Sequence, residues 1–308
     1  MGKMRFEQFT NAVVEKIREY LPESFANAVV DLQTVVKNND LKLTGLTIRT
    51  QSSNISPTIY LEQFFERYQN GEEMSRVLEH IADLRIRHEV RDTFDIKQIT
   101  DFEQVKDRIV PRVVGKKWNE ELLKVRPYTD ISDLAVTYHI LLDDKIEGTA
   151  SVAVTNALME SWGTSKEKLH SLALKNLPLL LPGTFQSMSS VLSALIVGDL
   201  DDEEAAMMPQ DDLMFVLSNK QRMFGASAIL DKDFMNGVTE KFMETGRYFI
   251  LLPSSVHDWI IVSSDSEYMD TAQLTEMIQD VNAGQVAPDE RLSDHPYRYT
   301  TENGLIFA

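Results

Sequence analysis

The sequence has no cysteine, which excludes disulfides, thiolate metal sites and a cysteine nucleophile. It has no apolar run near the roughly 18 residues of a membrane span. The opening stretch MGKMRFEQFTNAVVEKIREYL lacks the uninterrupted apolar region of a signal peptide. Gly2 is followed by Phe6 where N-myristoylation needs Ser or Thr. The expected setting is therefore the cytoplasm, with no membrane partner. Gly-rich turns of the kind that cradle a dinucleotide or phosphate are missing, and so is the G-x-S-x-G elbow of many hydrolases. Positive charge is scarce: 31 Lys and Arg stand against 48 Asp and Glu, for a net charge of -17. Residues 1–150 carry -4 of this and the remainder -13, so the second half would repel a phosphate backbone and nucleic acid is disfavoured as a partner.

What is present is ordinary for a globular chain, with 43% hydrophobic and 26% charged residues over 308 positions. At about 150 residues per domain, that length suggests two domains or one large one. Phe6, Phe9, Val13, Ile17 and Tyr20 recur at helical spacing until Pro22. Alternating segments on either side of Asn38-Asn39-Asp40 predict a hairpin, with a bulge at Gly45 where the alternation changes phase. Helices are expected over 60–69 and 74–88, and again from a Thr100/Glu103 capping box to Ile109, where Pro111 would end the run.

Arg126-Pro127 is the expected joint, dividing the chain into units 1–126 and 127–308. In the second unit, strand pairs are expected over 131–154, 213–230 and 248–262. Helices should open at Thr164 and Asp270, and an acidic loop spans 199–212. Antiparallel hairpins with packed helices make the fold class α+β rather than a doubly wound parallel sheet.

The densest apolar stretch is YFILLPSSVHDWIIV, 248–262. It contains Ser254, Ser255, His257 and Asp258, the residue types of a hydrolytic nucleophile, base and orienter. In a strand His257 and Asp258 point to opposite faces, so such a site would need a partner from elsewhere, such as His139 or His170. Without one, His257 packs beside Trp259 as a structural residue. Candidate binding positions are Asn219 and Lys220 in a turn, and Trp118 beside Arg112, Lys116 and Lys117, read as a helix surface. His80 and Asp83 offer a metal only a pair of ligands, and no metal or cofactor is expected.

The stretches NNDLKLTGLTIR (38–49), SPTIYLEQFFERYQNG (56–71), ITDFEQVKDRIV (99–110), TNALMESWG (155–163), LPSSVHDWIIV (252–262) and VNAGQVAPDERLSDHPYRY (281–299) together resemble an uncharacterised family, a domain of unknown function found in gut Firmicutes. The resemblance spans nearly the whole chain. Residues 133–262 are also similar to a second, broader uncharacterised bacillar family with Leu-Pro-Ser-Ser-x-His segments. Neither resemblance implies an activity, a cofactor or a catalytic residue. The expectation is a cytoplasmic binding or adaptor protein that acts through a macromolecular partner, a protein above all. The alternative is a hydrolase built on Ser254–Asp258.

Overall fold

A computed structural model of the chain describes residues 3–51, 53, 56–89, 95–142, 151–196 and 213–308, without the side chains of 194–196. The acidic loop and the turn after Leu142 lie outside the described residues. The fold is α+β, with three antiparallel sheets among the described residues. Two compact units emerge, one of Met1–Lys37 with Leu41–Ile96 and one of Asn38–Asp40 with Lys97–Ala308. This division does not fall at Arg126-Pro127. Strands on both sides of that dipeptide pair with one another, so the chain there stays within a single sheet.

In the smaller unit, α1 (Phe6–Lys16), α2 (Glu62–Gln69) and α3 (Met74–Arg87) bury their apolar stripes in one core with the sheet β1 (Val29–Val36), β2 (Lys42–Arg49) and β3 (Thr58–Tyr60). Phe9, Val13, Leu46, Ile48, Val77, Leu78 and Ile81 form its core; each such side chain contributes about 1.5–3 kcal/mol. The β1–β2 register runs unbroken from Val29↔Arg49 to Val36↔Lys42, so Gly45 is not a bulge. It is the place where β3 approaches: a Cβ there would come within 2.4 Å of Thr58 Cγ2. Arg85 is sealed into this core, its Nε donating to Ile48 O at 2.9 Å and its guanidinium 4.8 Å over the Phe25 ring.

The larger unit holds two sheets. In the first, β6 (Leu134–Leu141) is central; β4 (Ile109–Gly115) pairs along one edge, with β5 (Tyr128–Ile131) and β7 (Ser151–Ala153) along the other. The second is six-stranded, in the order β13-β12-β10-β11-β9-β8. Its strands are β8 (Gly183–Ser187), β9 (Met214–Asn219), β10 (Tyr248–Ser255), β11 (Asp258–Ser264), β12 (Tyr297–Thr300) and β13 (Gly304–Phe307). A single buried cluster joins Val113, Val136 and Tyr138 of the first sheet to Leu251, Trp259, Ile261 and Tyr297 of the second. Leu169 and Ala173 of the helix Lys166–Leu180, with Val238 and Phe242 of the helix Lys232–Thr245, complete it.

Several expectations change in this unit. Residues 109–115 form a strand, not a helix end. Pro111 is tolerated because β4 lies at a sheet edge, where its missing N–H costs no ladder bond. Arg112 therefore sits on a strand, and Trp118 is half-buried in the loop that follows. Gly225–Leu230 is a 3-10 turn rather than a return strand for β9. Its Gly225, Ala226, Ser227 and Ala228 are all buried. Ser227 Oγ donates to Pro111 O and accepts from Val113 N, both at 3.1 Å, while Trp259 Nε1 donates to Ala226 O. Small side chains let this turn dock between the sheets, and tertiary hydrogen bonds replace the ladder. The caps shift by one residue, to Asp101 and Ser165, each of which accepts a backbone N–H, and Pro178 lies within its helix rather than closing it. The expected Asp270 cap is present, taking the N–H groups of Ala272 and Gln273.

Candidate functional site

The β10–β11 hairpin carries all four hydrolase candidates at its tip. Ser254 is the extra residue of a bulge, since Pro253 pairs with Trp259 but Ser255 with Asp258. Val256 and His257 make the turn. His257 is thus outside the strand and does not share a strand face with Trp259, which is what simple alternation predicts. The Ser255 hydroxyl donates to Asp258 Oδ1 at 3.0 Å and accepts the His257 N–H at 3.0 Å. His257 Nδ1 accepts the Phe224 N–H at 3.3 Å, which leaves the proton of the neutral ring on Nε2. That nitrogen lies 3.9 Å from Glu290 Oε1, beyond hydrogen-bond length.

The turn is held from below as well. Ser218 Oγ donates to His257 O at 2.7 Å, Ala226 N to Val256 O at 3.3 Å, and Val256 N to Glu290 O at 2.8 Å. Gly225 passes so close that a Cβ would come within 2.1 Å of His257 O. Among the described residues, no hydrogen bond joins the hydroxyl of Ser254 or Ser255 to a histidine ring. His139 meets Ser151 Oγ at 3.4 Å and His170 meets Tyr138 OH at 3.2 Å, so neither supplies the missing base.

The other candidates fall into separate places. Asn219 is buried and closes its own loop, with Nδ2 donating to Met223 O at 2.7 Å and Oδ1 accepting Met223 N–H at 3.3 Å. Lys220 is exposed. Trp118, Lys116 and Lys117 line a shallow cavity of only about 20 Å³ together with Asp133, Ser293 and Asp294.

Behind that cavity lies a network that reading the sequence in order missed. The Tyr297 hydroxyl is 2.8 Å from both Asp133 Oδ1 and Ser293 Oγ. His295 Nδ1 is 3.0 Å from Asp294 Oδ1, and Nε2 faces Asp133 Oδ2 at 3.5 Å as an ionic contact without hydrogen-bond geometry. Burial pulls the imidazole down, but Asp133 and Asp294 outweigh it and raise its pKa. Burial likewise pushes Asp133 up, and His295 and Tyr297 outweigh it and hold the carboxyl below its usual range. The residues come from positions 133 and 293–297, and only the pairing of β12 inside the six-stranded sheet brings them together.

A second group missed in this way lies on β4 and β6. Arg112 pairs with Thr137, and His139 follows two residues later, so the three share one face of the sheet. On that face the Arg112 guanidinium stands 4.9 Å over the Phe224 ring and the His139 ring lies 4.8 Å from it. Phe224 is also the residue whose N–H holds His257. The available signal was an arginine inside the apolar alternation of IVPRVVG.

Among the described residues, no group of three or more His, Asp or Glu is placed to hold a metal ion, and no helix is long and apolar enough to cross a membrane. The described chain is thus an α+β protein with a tied-down hairpin tip, in which Ser254 and Ser255 form no hydrogen bond to the His257 ring; hydroxyl–imidazole contacts occur elsewhere, at Ser151–His139 (3.4 Å) and Ser293–His295 (3.2 Å). It belongs to the family of unknown function DUF5688, whose model matches residues 6–301. No curated protein and no solved structure matches it significantly.

Proposed function

We propose that the protein acts by binding a macromolecular partner and performs no hydrolysis at the Ser254–Asp258 region. The observation that carries this reading is the use of the polar groups at the tip. The Ser255 proton goes to Asp258, and the His257 nitrogen that would act as base is occupied by the Phe224 N–H. A nucleophile has to be within hydrogen-bond reach of its base, and here both are engaged in holding a turn. Binding is the function that such a rigid tip on a large core serves. A protein partner, a cytoplasmic setting and a likeness of 133–262 to a second bacillar family belong to the same proposal, and the charge of -17 argues against nucleic acid.

The test is a screen of ester, peptide and phosphoester substrates with wild type, Ser255→Ala and His257→Ala, beside intact-mass measurement of complexes formed in native lysate. The expected result is no turnover that depends on either residue, together with a defined complex. A hydrolysis lost in Ser255→Ala at unchanged stability would replace the binding reading with the hydrolase.

A further inference from the structure

Among the described residues, the face of the sheet that carries Arg112 holds positive charge with no carboxylate in ion-pair contact. Arg112 Nε is buried and has no hydrogen-bond partner among the described residues, and His139 Nε2, on a side chain only 5% exposed, has none there either. Arg126 lies two residues before Tyr128, the partner of Thr137, so the chain brings a second guanidinium toward the same row. Among the described residues neither arginine forms an ion pair. The acidic groups that act on Arg112, Asp289 and Glu290, do so through space.

The electrostatics agree with this geometry. Burial, then the Arg126 charge, push Arg112 down to about 10; burial lowers Arg126; burial and both arginines take His139 well below its ordinary value. His139 is therefore neutral at pH 7, and the two guanidinium charges remain. In a protein with an excess of acidic residues, two neighbouring arginines would ordinarily be matched to carboxylates. Structural need does not explain their placement, because Val110 and Leu141 on one side and Val114 and Ala135 on the other already pack into apolar clusters.

From this arrangement we propose that Arg112, Arg126 and His139 form a binding site for a phosphate-type dianion, a phosphomonoester or free phosphate. A phosphate near pH 7 carries about -1.5 to -2 charges, which matches two guanidinium groups. The planar fork of an arginine gives two parallel N–H donors to such an oxyanion. The Arg112 Nε–H supplies a donor with no protein acceptor. The neutral His139 ring supplies another if its proton is on Nε2. Phe224 holds the Arg112 plane from one side, so the guanidinium is oriented before anything binds. Phe224 also donates its N–H to His257, so the site adjoins the hairpin tip.

This site does not depend on a protein partner, so the two proposals fail separately. The experiment is calorimetric titration of wild type, Arg112→Met and Arg126→Met with inorganic phosphate at constant ionic strength, with acetate and O-phosphoserine as further arms. Thermal unfolding of each variant checks that it is folded. The expected result is saturable one-to-one phosphate binding to wild type, weakened about tenfold or more in Arg126→Met and further in Arg112→Met, with acetate much weaker. O-phosphoserine bound as well as phosphate would indicate a phosphomonoester on a larger molecule, whereas its rejection would limit the site to the free ion; both support the site. No saturable binding, equal binding to folded variants, or acetate bound as well as phosphate would overturn it. If Arg112→Met does not fold, Arg126→Met alone decides, since it lies outside the strands.

Discussion

Each unit sets one arginine over a phenylalanine ring, Arg85 at 4.8 Å over Phe25 and Arg112 at 4.9 Å over Phe224. Burial lowers the pKa of both. Among the described residues each also buries one guanidinium nitrogen without a hydrogen-bond partner, Nη1 in Arg85 and Nε in Arg112. They differ at Nε and in the charge they feel: Arg85 is 1% exposed and its Nε donates to Ile48 O, with Glu89 as a compensating charge. Arg112 is half-buried, its Nε has no acceptor, and the strongest charge acting on it is another arginine. A buried cation that is tied to a carbonyl serves the fold. One that faces a like charge destabilises the fold slightly and serves whatever neutralises it.

Substitution should separate the two arginines. Arg85→Ala is expected to lower unfolding free energy by about 2–4 kcal/mol in urea titration, because it leaves a cavity and removes the bond to Ile48 O. That carbonyl keeps the Ser56 hydroxyl at 2.9 Å, which limits the loss. At the hairpin tip, His257→Ala should cost about 1–2 kcal/mol through the unpaired Phe224 N–H. Arg112→Met, measured in the same way without phosphate, should be neutral or stabilising by up to about 1 kcal/mol. If instead it destabilises as much as Arg85→Ala, Arg112 is a structural arginine and the contrast collapses.

The smallest expected effect is on pH dependence, and it concerns the pair Asp133 and His295. His295 has its folded pKa raised from 6.5. Its stabilisation is fully present below that value and is lost as pH rises through the folded pKa. Asp133 has its folded pKa lowered from 3.8, so its stabilisation is present above that value and is lost as pH falls through the folded pKa. Both contributions coexist between those two reference values. A plot of midpoint against pH should therefore lose its upper limb in His295→Gln. An unchanged upper limb would show that the ionic contact with Asp133 contributes nothing.

The comparison with the sequence follows the range of each interaction. The hairpin around Asn38–Asp40, the amphipathic helices at 6–16 and 74–87, and the pairing of 248–255 with 258–264 were legible because alternation, helical spacing and turn residues are local signals. The 225–230 segment was not, since its small residues look like a strand until two sheets close on them. Pro111 misled for the same reason: a proline stops a helix by local sterics but is harmless at the edge of a sheet, and which edge is free depends on pairing with residues 134–140.

The candidate chemistry divides along the same line. The residue types Ser, His and Asp at 254–258 could be read off the chain, but whether a hydroxyl faces a ring depends on a one-residue bulge and on Phe224, more than thirty positions away. By itself the sequence determined the acidic, cysteine-free composition, the α+β class and the core elements, because hydrophobic periodicity and charge are sums over neighbours. Only the tertiary structure decided that Asp133 meets His295 and that Arg112 stands beside His139 with no carboxylate in ion-pair contact among the described residues. Charge satisfaction is settled by distances of a few ångströms between residues far apart in the chain, and the order of the residues does not contain those distances.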